Sequence, residues 1–178
     1  HTRILSTFAG VSLEGIFDTR PEVAAAIAAE HGAKVASGFD ELAGKIDAAV
    51  LAAPTTLHGE LGLALLERGV HLLVEKPIAH STEAGRRMTD AFASRGLVGA
   101  VGHVERFNPA LQEMRRRLAA GDLGEVYQIA TRRQSTFPQR IADVGVAKDL
   151  ASHDIDLTAW VAQSDYMEDQ EVSFHNKH

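Results

Sequence analysis

The sequence predicts the α/β class, a doubly wound parallel sheet, and three observations carry the prediction. Apolar runs of strand length recur at 11–17, 47–53, 71–75 and 97–101. Stretches of helical length separate them, and no two-residue hairpin turn joins any pair. Strands apolar on both faces and linked by helices are what a parallel sheet with crossover helices requires.

Each element carries its own signals. Residues 11–17, Val-Ser-Leu-Glu-Gly-Ile-Phe, read as a buried strand that ends on Asp18. Pro21 opens an alanine-rich helix over 21–30, at a first-turn position where its missing N–H is no loss, and Gly32 stands just past the end. A brief strand at 34–36 and a short helix at 40–43 follow. The run Asp-Ala-Ala-Val-Leu-Ala-Ala at 47–53 is a second buried strand, closed by Pro54. Thr55 and Thr56 are cap-type residues before a helix over 57–68, with Leu61, Leu65 and Leu66 on one face and Gly69 as the stop. Residues 71–75 are strand again and lead into Lys76-Pro77. Ser81 caps a helix over 82–94, Gly96 ends it, and 97–101 is a further strand.

The pattern changes after Gly102. Asn108-Pro109 opens a basic helix with Arg115, Arg116 and Arg117, stopped near Gly121. Residues 125–131 alternate polar and apolar, as a half-exposed strand does, and a helix is expected over about 148–163. The chain divides into a first domain at 1–104 and the opening of an α+β domain at 105–178. A single alternating strand cannot bury its face, because a stable sheet needs about three or more.

Composition excludes several classes of function. The 178 residues carry a net charge of −6, with 45% hydrophobic and 24% charged side chains, an ordinary globular balance. An acidic chain offers no electrostatic footprint for nucleic acid or an anionic membrane surface. With zero cysteines there is no disulfide framework, zinc-thiolate site or thiol catalysis, and a reducing cytoplasm is the expected setting. No apolar run approaches the roughly 20 residues that span a bilayer.

A doubly wound sheet is built outward from its first strand, and in dinucleotide-binding folds an acid at the end of the second strand holds the adenosine ribose. Here Asp18 ends the earliest strand, and no G-x-G-x-x-G occurs. Without a strand between them, the segments at 11–17 and 47–53 would flank a gap of unpaired backbone groups. The expectation is a sequence that starts inside a domain, after its first strand and glycine loop. Asp18 reads either as the ribose acid or as an ordinary turn residue before Pro21.

Two constellations carry chemistry. Glu75-Lys76-Pro77 stands where a parallel strand ends, the edge at which open α/β sheets bind ligands. Pro77 keeps Lys76 out of helical geometry and aims it at the crevice, although a surface lysine beside a turn proline is the plainer reading. Asp149, His153 and Asp156 stand at i, i+4 and i+7, one helical face. Carboxylate beside imidazole suits acid–base work, since the acid fixes the tautomer and raises basicity. A surface ion pair gives the same pattern, and a metal site would want further ligands, so none is assigned.

The strings Val-Glu-Lys-Pro-Ile at 74–78, Gly-His-Val-Glu-Arg-Phe-Asn-Pro at 102–109 and Asp-Leu-Ala-Ser-His-Asp-Ile-Asp at 149–156 resemble the glucose–fructose oxidoreductase, inositol dehydrogenase and rhizopine-catabolism family (Gfo/Idh/MocA). The similarity runs from Thr2 to about Gln163. It implies an N-terminal Rossmann domain and a C-terminal domain with a large open antiparallel sheet. It also implies hydride transfer between NAD, or NADP, and a carbon of a sugar, cyclitol or nucleotide-sugar. Lys76 matches the family's catalytic lysine, and Asp149 and His153 its aspartate–histidine pair, with substrate contacts from all three. Asp18 matches the ribose acid. Ala53, Pro54, Thr55 and His58 match the turn lining the nicotinamide, beside Glu75, Lys76 and Pro77. Arg106 and Asn108 fall on the stretch bordering cofactor and substrate. The phosphate loop and most of the second sheet have no counterpart here, and 167–178 do not continue the family pattern.

The implied mechanism gives each group a task. A histidine titrates near neutral pH, so His153 is the general base. A lysine ordinarily keeps its proton there, so Lys76 polarises the hydroxyl oxygen and stabilises developing alkoxide. Asp149 orients His153 or binds a substrate hydroxyl. Arg20 leaves NADP open, because an arginine there can meet a 2′-phosphate, whereas Asp18 favours NAD. Glu-Arg-Phe-Asn-Pro and Asp-Val-Gly-Val at 143–146 resemble members acting at C3 of UDP-N-acetyl-hexosamine derivatives. Inositol, a free hexose, or a non-catalytic cofactor sensor are the alternatives. The family also implies homodimers or homotetramers. Arg115 to Arg117 read as a solvated helix face, and Trp160 with Leu157 and Val161 as core.

Overall fold

A computed structural model describes residues 1–132 and 151–163. At its centre is a parallel sheet in the order β1-β2-β3, with β1 at Ala48–Leu51, β2 at His71–Val74 and β3 at Gly99–Val101. Helices α1 (Thr2–Leu5), α2 (Pro21–His31) and α3 (Phe39–Ala43) precede the sheet. Helix α4 (Thr55–Glu67) joins β1 to β2, and α5 (Thr82–Arg95) joins β2 to β3. A 3-10 turn (Val104–Phe107), α6 (Pro109–Ala119) and α7 (Ser152–Ala162) follow.

Local chemistry sets most helix ends. Pro21 opens α2, and Gly32 closes it in the left-handed region. The Ser81 hydroxyl accepts from the Ala84 N–H at 3.2 Å, and Gly96 closes α5 in the same left-handed way. Asn108 Oδ1 accepts from the Ala110 N–H at 3.1 Å at the start of α6. Helix α4 begins at Thr55, earlier than the expected 57, because Pro54 at φ −56° already aims the chain into it without a side-chain cap.

Right-handed crossovers between strands laid down in the order 1-2-3 put both connecting helices on one face. Accordingly α4 and α5 pack on each other, and α4 packs on β1 and β2. The core is that layer: Leu51, Leu65, Leu66, Val70, Leu72, Val74 and Met88. The two helices approach closely, since a Cβ on Gly62 would lie 2.5 Å from Met88 Cε. Burial is one-sided. Leu72 and Val74 of β2 are buried while His71 and Leu73 are half-buried, and Gly99 and Ala100 of β3 are exposed. Among the described residues, the face that α4 and α5 cross is the better buried one.

Two further expectations differ from the fold. Residues 11–17 form no strand beyond one parallel bridge from Ile16 to Val35, made by Ile16 N–H to Lys34 O and Ala36 N–H to Ile16 O, each 2.9 Å. Val11 and Phe17 are exposed. Residues 125–131 have no strand pairing among the described residues, and Tyr127 is 87% exposed. In both places alternation or apolarity is present, but a ladder partner is not, and a strand exists only as part of a ladder. No described helix is long and apolar enough to cross a membrane.

Leu66 is fully buried between α4 and the sheet. Leu66→Ala is expected to lower unfolding free energy by about 2–5 kcal/mol, read as a shift of the urea midpoint with an unchanged slope.

Candidate active site

Register builds the site. Leu51, Val74 and Val101 are paired neighbours in the ladder, so the turns after them leave the sheet side by side at its C-terminal edge. Backbone bonds continue past the strands: the Glu75 N–H donates to Leu51 O at 2.9 Å, and the Gly102 N–H to Val74 O at 2.7 Å. The first turn carries Ala53, Pro54 and Thr55, the second Glu75, Lys76 and Pro77, and the third Gly102 and His103.

His58 locks the first turn to the second. Projecting from the first turns of α4, it is 1% exposed. Its Nε2 lies 2.8 Å from Ala53 O and its Nδ1 2.9 Å from Pro77 O. Carbonyl oxygens only accept, so a neutral ring donates to one of them and an imidazolium to both. The ring therefore braces the turn that the resemblance assigns to the nicotinamide, from the buried side.

Glu75 links the second turn to the third. Its Oε2 accepts from the Lys76 N–H at 3.2 Å, and its Oε1 lies 2.6 Å from His1 Nε2. A Cβ at Gly102 would stand 3.0 Å from Oε2, so a glycine there lets the carboxylate lie against the backbone. Lys76 is half-buried, and its peptide bond to Pro77 is cis.

The remaining wall comes from far along the chain. Arg106, on the 3-10 turn, donates from Nε to Asp156 Oδ2 at 2.8 Å and from Nη2 to Asp156 Oδ1, a bidentate clamp on α7. The Asp156 side chain is 10% exposed. Asp156 Oδ2 also stands 3.5 Å from His103 Nδ1. A second tether is Arg115 of α6, whose guanidinium lies 4.3 Å from the Trp160 ring centroid on α7. His153 is half-buried one turn before Asp156.

Burial holds the His103 imidazole below its ordinary value of 6.5, with the Arg106 and Lys76 charges acting the same way and Asp156 opposing them. The turn bearing Lys76 follows β2, and His103, just after the neighbouring β3, stands 3.5 Å from Asp156 of α7.

Other expected residues lie as follows. Asp18 Oδ1 accepts from the Arg20 N–H at 2.8 Å and from Arg20 Nε at 3.4 Å, the turn that starts α2. Asn108 caps α6. Asp149 lies outside the described residues. Arg116 and Arg117 pair with Glu113 on their own helix at 2.8 and 2.9 Å. Sequence reasoning gave no role to His103 and saw Asp156 only as part of a helical face. A histidine directly after a strand, following a glycine, was the available signal.

Removing the His58 ring leaves two carbonyl oxygens without their partner. His58→Ala is expected to cost at least about 2 kcal/mol, measured by denaturant unfolding. His103 gives a pH dependence. The unfolded chain takes up the proton at a pH where the folded imidazole stays neutral, so stability declines as pH falls below about 6.5 and levels off below the folded-state value. In His103→Gln that part of the slope is expected to vanish, as read from unfolding midpoints between about pH 4.5 and 7.

The chain matches the Gfo/Idh/MocA oxidoreductase family, NAD-binding Rossmann fold, over residues 1–103. It is 36% identical over 152 residues to UDP-N-acetylglucosamine 3-dehydrogenase of Acidithiobacillus ferrooxidans, covering 85% of this chain and 47% of that protein. The solved structure of that dehydrogenase superposes with a TM-score of 0.76 at 32% identity, covering 90% of this chain and 51% of that one. Inositol 2-dehydrogenase 2 of Saccharopolyspora erythraea is 34% identical over 169 residues, 90% of this chain and 49% of its own. The WlbA dehydrogenase from Bordetella pertussis, solved in complex with NADH and UDP-GlcNAcA, is 31% identical with a TM-score of 0.73, covering 85% of this chain and 47% of that one. The chain spans about half the length of the relatives it matches. With the family match running through more than half of its residues, the protein belongs to the Gfo/Idh/MocA oxidoreductases and carries their NAD-binding Rossmann fold.

Proposed function

We propose that the protein works in an NAD-dependent dehydrogenase that moves a hydride between nicotinamide and a secondary alcohol carbon of a sugar or nucleotide-sugar. The observation that carries this reading is His103, at the end of the strand beside the Lys76 turn, whose Nδ1 stands 3.5 Å from Asp156 of α7. That proximity supports a reading in which the two sequence motifs serve one sheet edge.

The residues present fit the two ends of NAD. Ala53, Pro54 and Thr55, braced from below by His58, and Glu75, Lys76 and Pro77 would border the nicotinamide. Asp18, whose side chain is 31% exposed, would hold the adenosine ribose while it also forms the turn with Arg20. When bound, NAD supplies the hydride chemistry, which no side chain can.

The chain's own groups handle the proton and the oxygen. His153 takes the hydroxyl proton on a ring nitrogen as general base. The Lys76 ammonium donates to the same oxygen and stabilises alkoxide as it develops. Asp149 orients His153 or binds a neighbouring hydroxyl. Similarity to a UDP-N-acetylglucosamine 3-dehydrogenase and to WlbA with its nucleotide-sugar favours oxidation at C3 of a UDP-N-acetyl-hexosamine derivative. The inositol 2-dehydrogenase likeness supports a cyclitol as the second reading. A cytoplasmic homodimer or homotetramer is the setting that the family implies.

The test is a panel of UDP-N-acetyl-hexosamines, inositols and free hexoses incubated with NAD and the full-length protein, followed at the NADH absorbance. One class is expected to turn over. Lys76→Ala and His153→Ala are each expected to lower kcat by about 10²–10⁴-fold while NADH affinity, read by fluorescence, stays within a few-fold. Cofactor binding without turnover on any alcohol would replace the enzyme with a sensor.

A further inference from the structure

We propose that Asp156 and Arg106 are positioning residues: their clamp sets the rotation of α7 so that His153 faces the Lys76 end of the sheet. The inference rests on the dehydrogenase reading for its catalytic consequence, but not for its geometry.

Of the eleven residues of α7, Val161 is buried and Leu157, Ala159 and Trp160 are half-buried. Two side-chain contacts add a specific direction to that packing. The bidentate bond from Arg106 holds Asp156, and the Arg115 guanidinium covers Trp160 at 4.3 Å. His153, Asp156 and Trp160 stand at i, i+3 and i+7, a single stripe of the helix. The stripe that both tethers grip is therefore the one that carries His153. Two parallel N–H···O bonds fix an angle as well as a distance. The clamped carboxylate also lies 3.5 Å from His103 at the end of β3, so the bridge reaches from the helix to the strand end beside Lys76.

The clamp predicts effects that a merely stabilising bridge would not produce. Asp156→Asn preserves shape but removes the charge that holds the guanidinium. In the full-length protein, kcat is expected to fall tenfold or more while KM for NAD changes less than threefold. The pH profile of kcat/KM is expected to change on its His153 limb, because the imidazole is no longer held in a fixed orientation. Arg106→Lys keeps the charge but loses the fork, and it is expected to show the same defect in milder form. The double variant should be no worse than the worse single, as coupled residues require. Arg117→Ala, whose partner is on its own helix, serves as the unaffected control.

Hydrogen exchange at the amides of 152–162 gives a readout without activity. Both variants are expected to accelerate it at least tenfold while exchange in β1 to β3 is unchanged. Should Asp156→Asn unfold the protein, Arg106→Lys carries the same measurement. Unaltered exchange in 152–162 together with an unaltered pH profile would overturn the clamp. Accelerated exchange in a protein with no turnover on any substrate would instead retire the dehydrogenase reading and leave the clamp standing.

Discussion

The in-register ending of three parallel strands is the constraint from which the site follows. Leu51, Val74 and Val101 are ladder partners, so the chain leaves the sheet three times within the width of adjacent strands, spaced about 4.8 Å apart. Residues far apart in sequence thereby become neighbours without any side chain choosing the other. Lys76 follows one strand and His103 another, and the backbone bonds that run past each strand end hold both. A slip of one residue in either ladder would turn the buried Leu72 and Val74 outward, so the core that α4 and α5 cover also enforces the spacing of the turns.

Polar side chains then refine what the ladder positions. His58 does so from beneath the edge, meeting carbonyls of two turns with one ring. Asp156 does so from above. A carboxylate with only 10% of its side chain exposed is tolerable where two guanidinium bonds replace its water, and breaking such a pair leaves a costly uncompensated charge. Burial, outweighing the attraction of Asp156, holds the His103 imidazole below its ordinary value of 6.5. The edge therefore gathers basic Lys76 and Arg106 and acidic Glu75 and Asp156 around this histidine.

What could be read from the sequence divides by range. Pro21 marks a helix start by its fixed φ and missing donor, Ser81, Gly96 and Asn108 mark helix ends through bonds to residues no more than a few positions away, and all four act where the sequence predicts. Lys76 was legible as the residue after a strand because the strand itself is apolar and short. The stripe holding His153 and Asp156 was legible from helical spacing alone. Its partner was not, because Arg106 lies 50 residues away and no local pattern ties the two. His58 drew notice as a residue near the cofactor, yet its contact with Pro77 O, 19 residues on, is what gives it a task. Residues 11–17 misled for the same reason in reverse: their composition is that of a strand, but a strand is defined by its neighbours.

The two halves of the site are held by different kinds of bond, and this governs how they can move. The Lys76 turn is fastened by main-chain hydrogen bonds on both sides and by a fully buried ring, so displacing it means opening the sheet. Helix α7 is fastened to the elements before it through the Arg106–Asp156 ion pair and the Arg115–Trp160 cation–π contact. Each such contact is worth no more than a few kcal/mol. Local opening at contacts of this kind takes less than global unfolding. A helix held by apolar burial would return in several nearly equivalent rotations. One held by a planar fork on a carboxylate has a single geometry in which both bonds form, so after local opening the same face of α7 returns to the sheet.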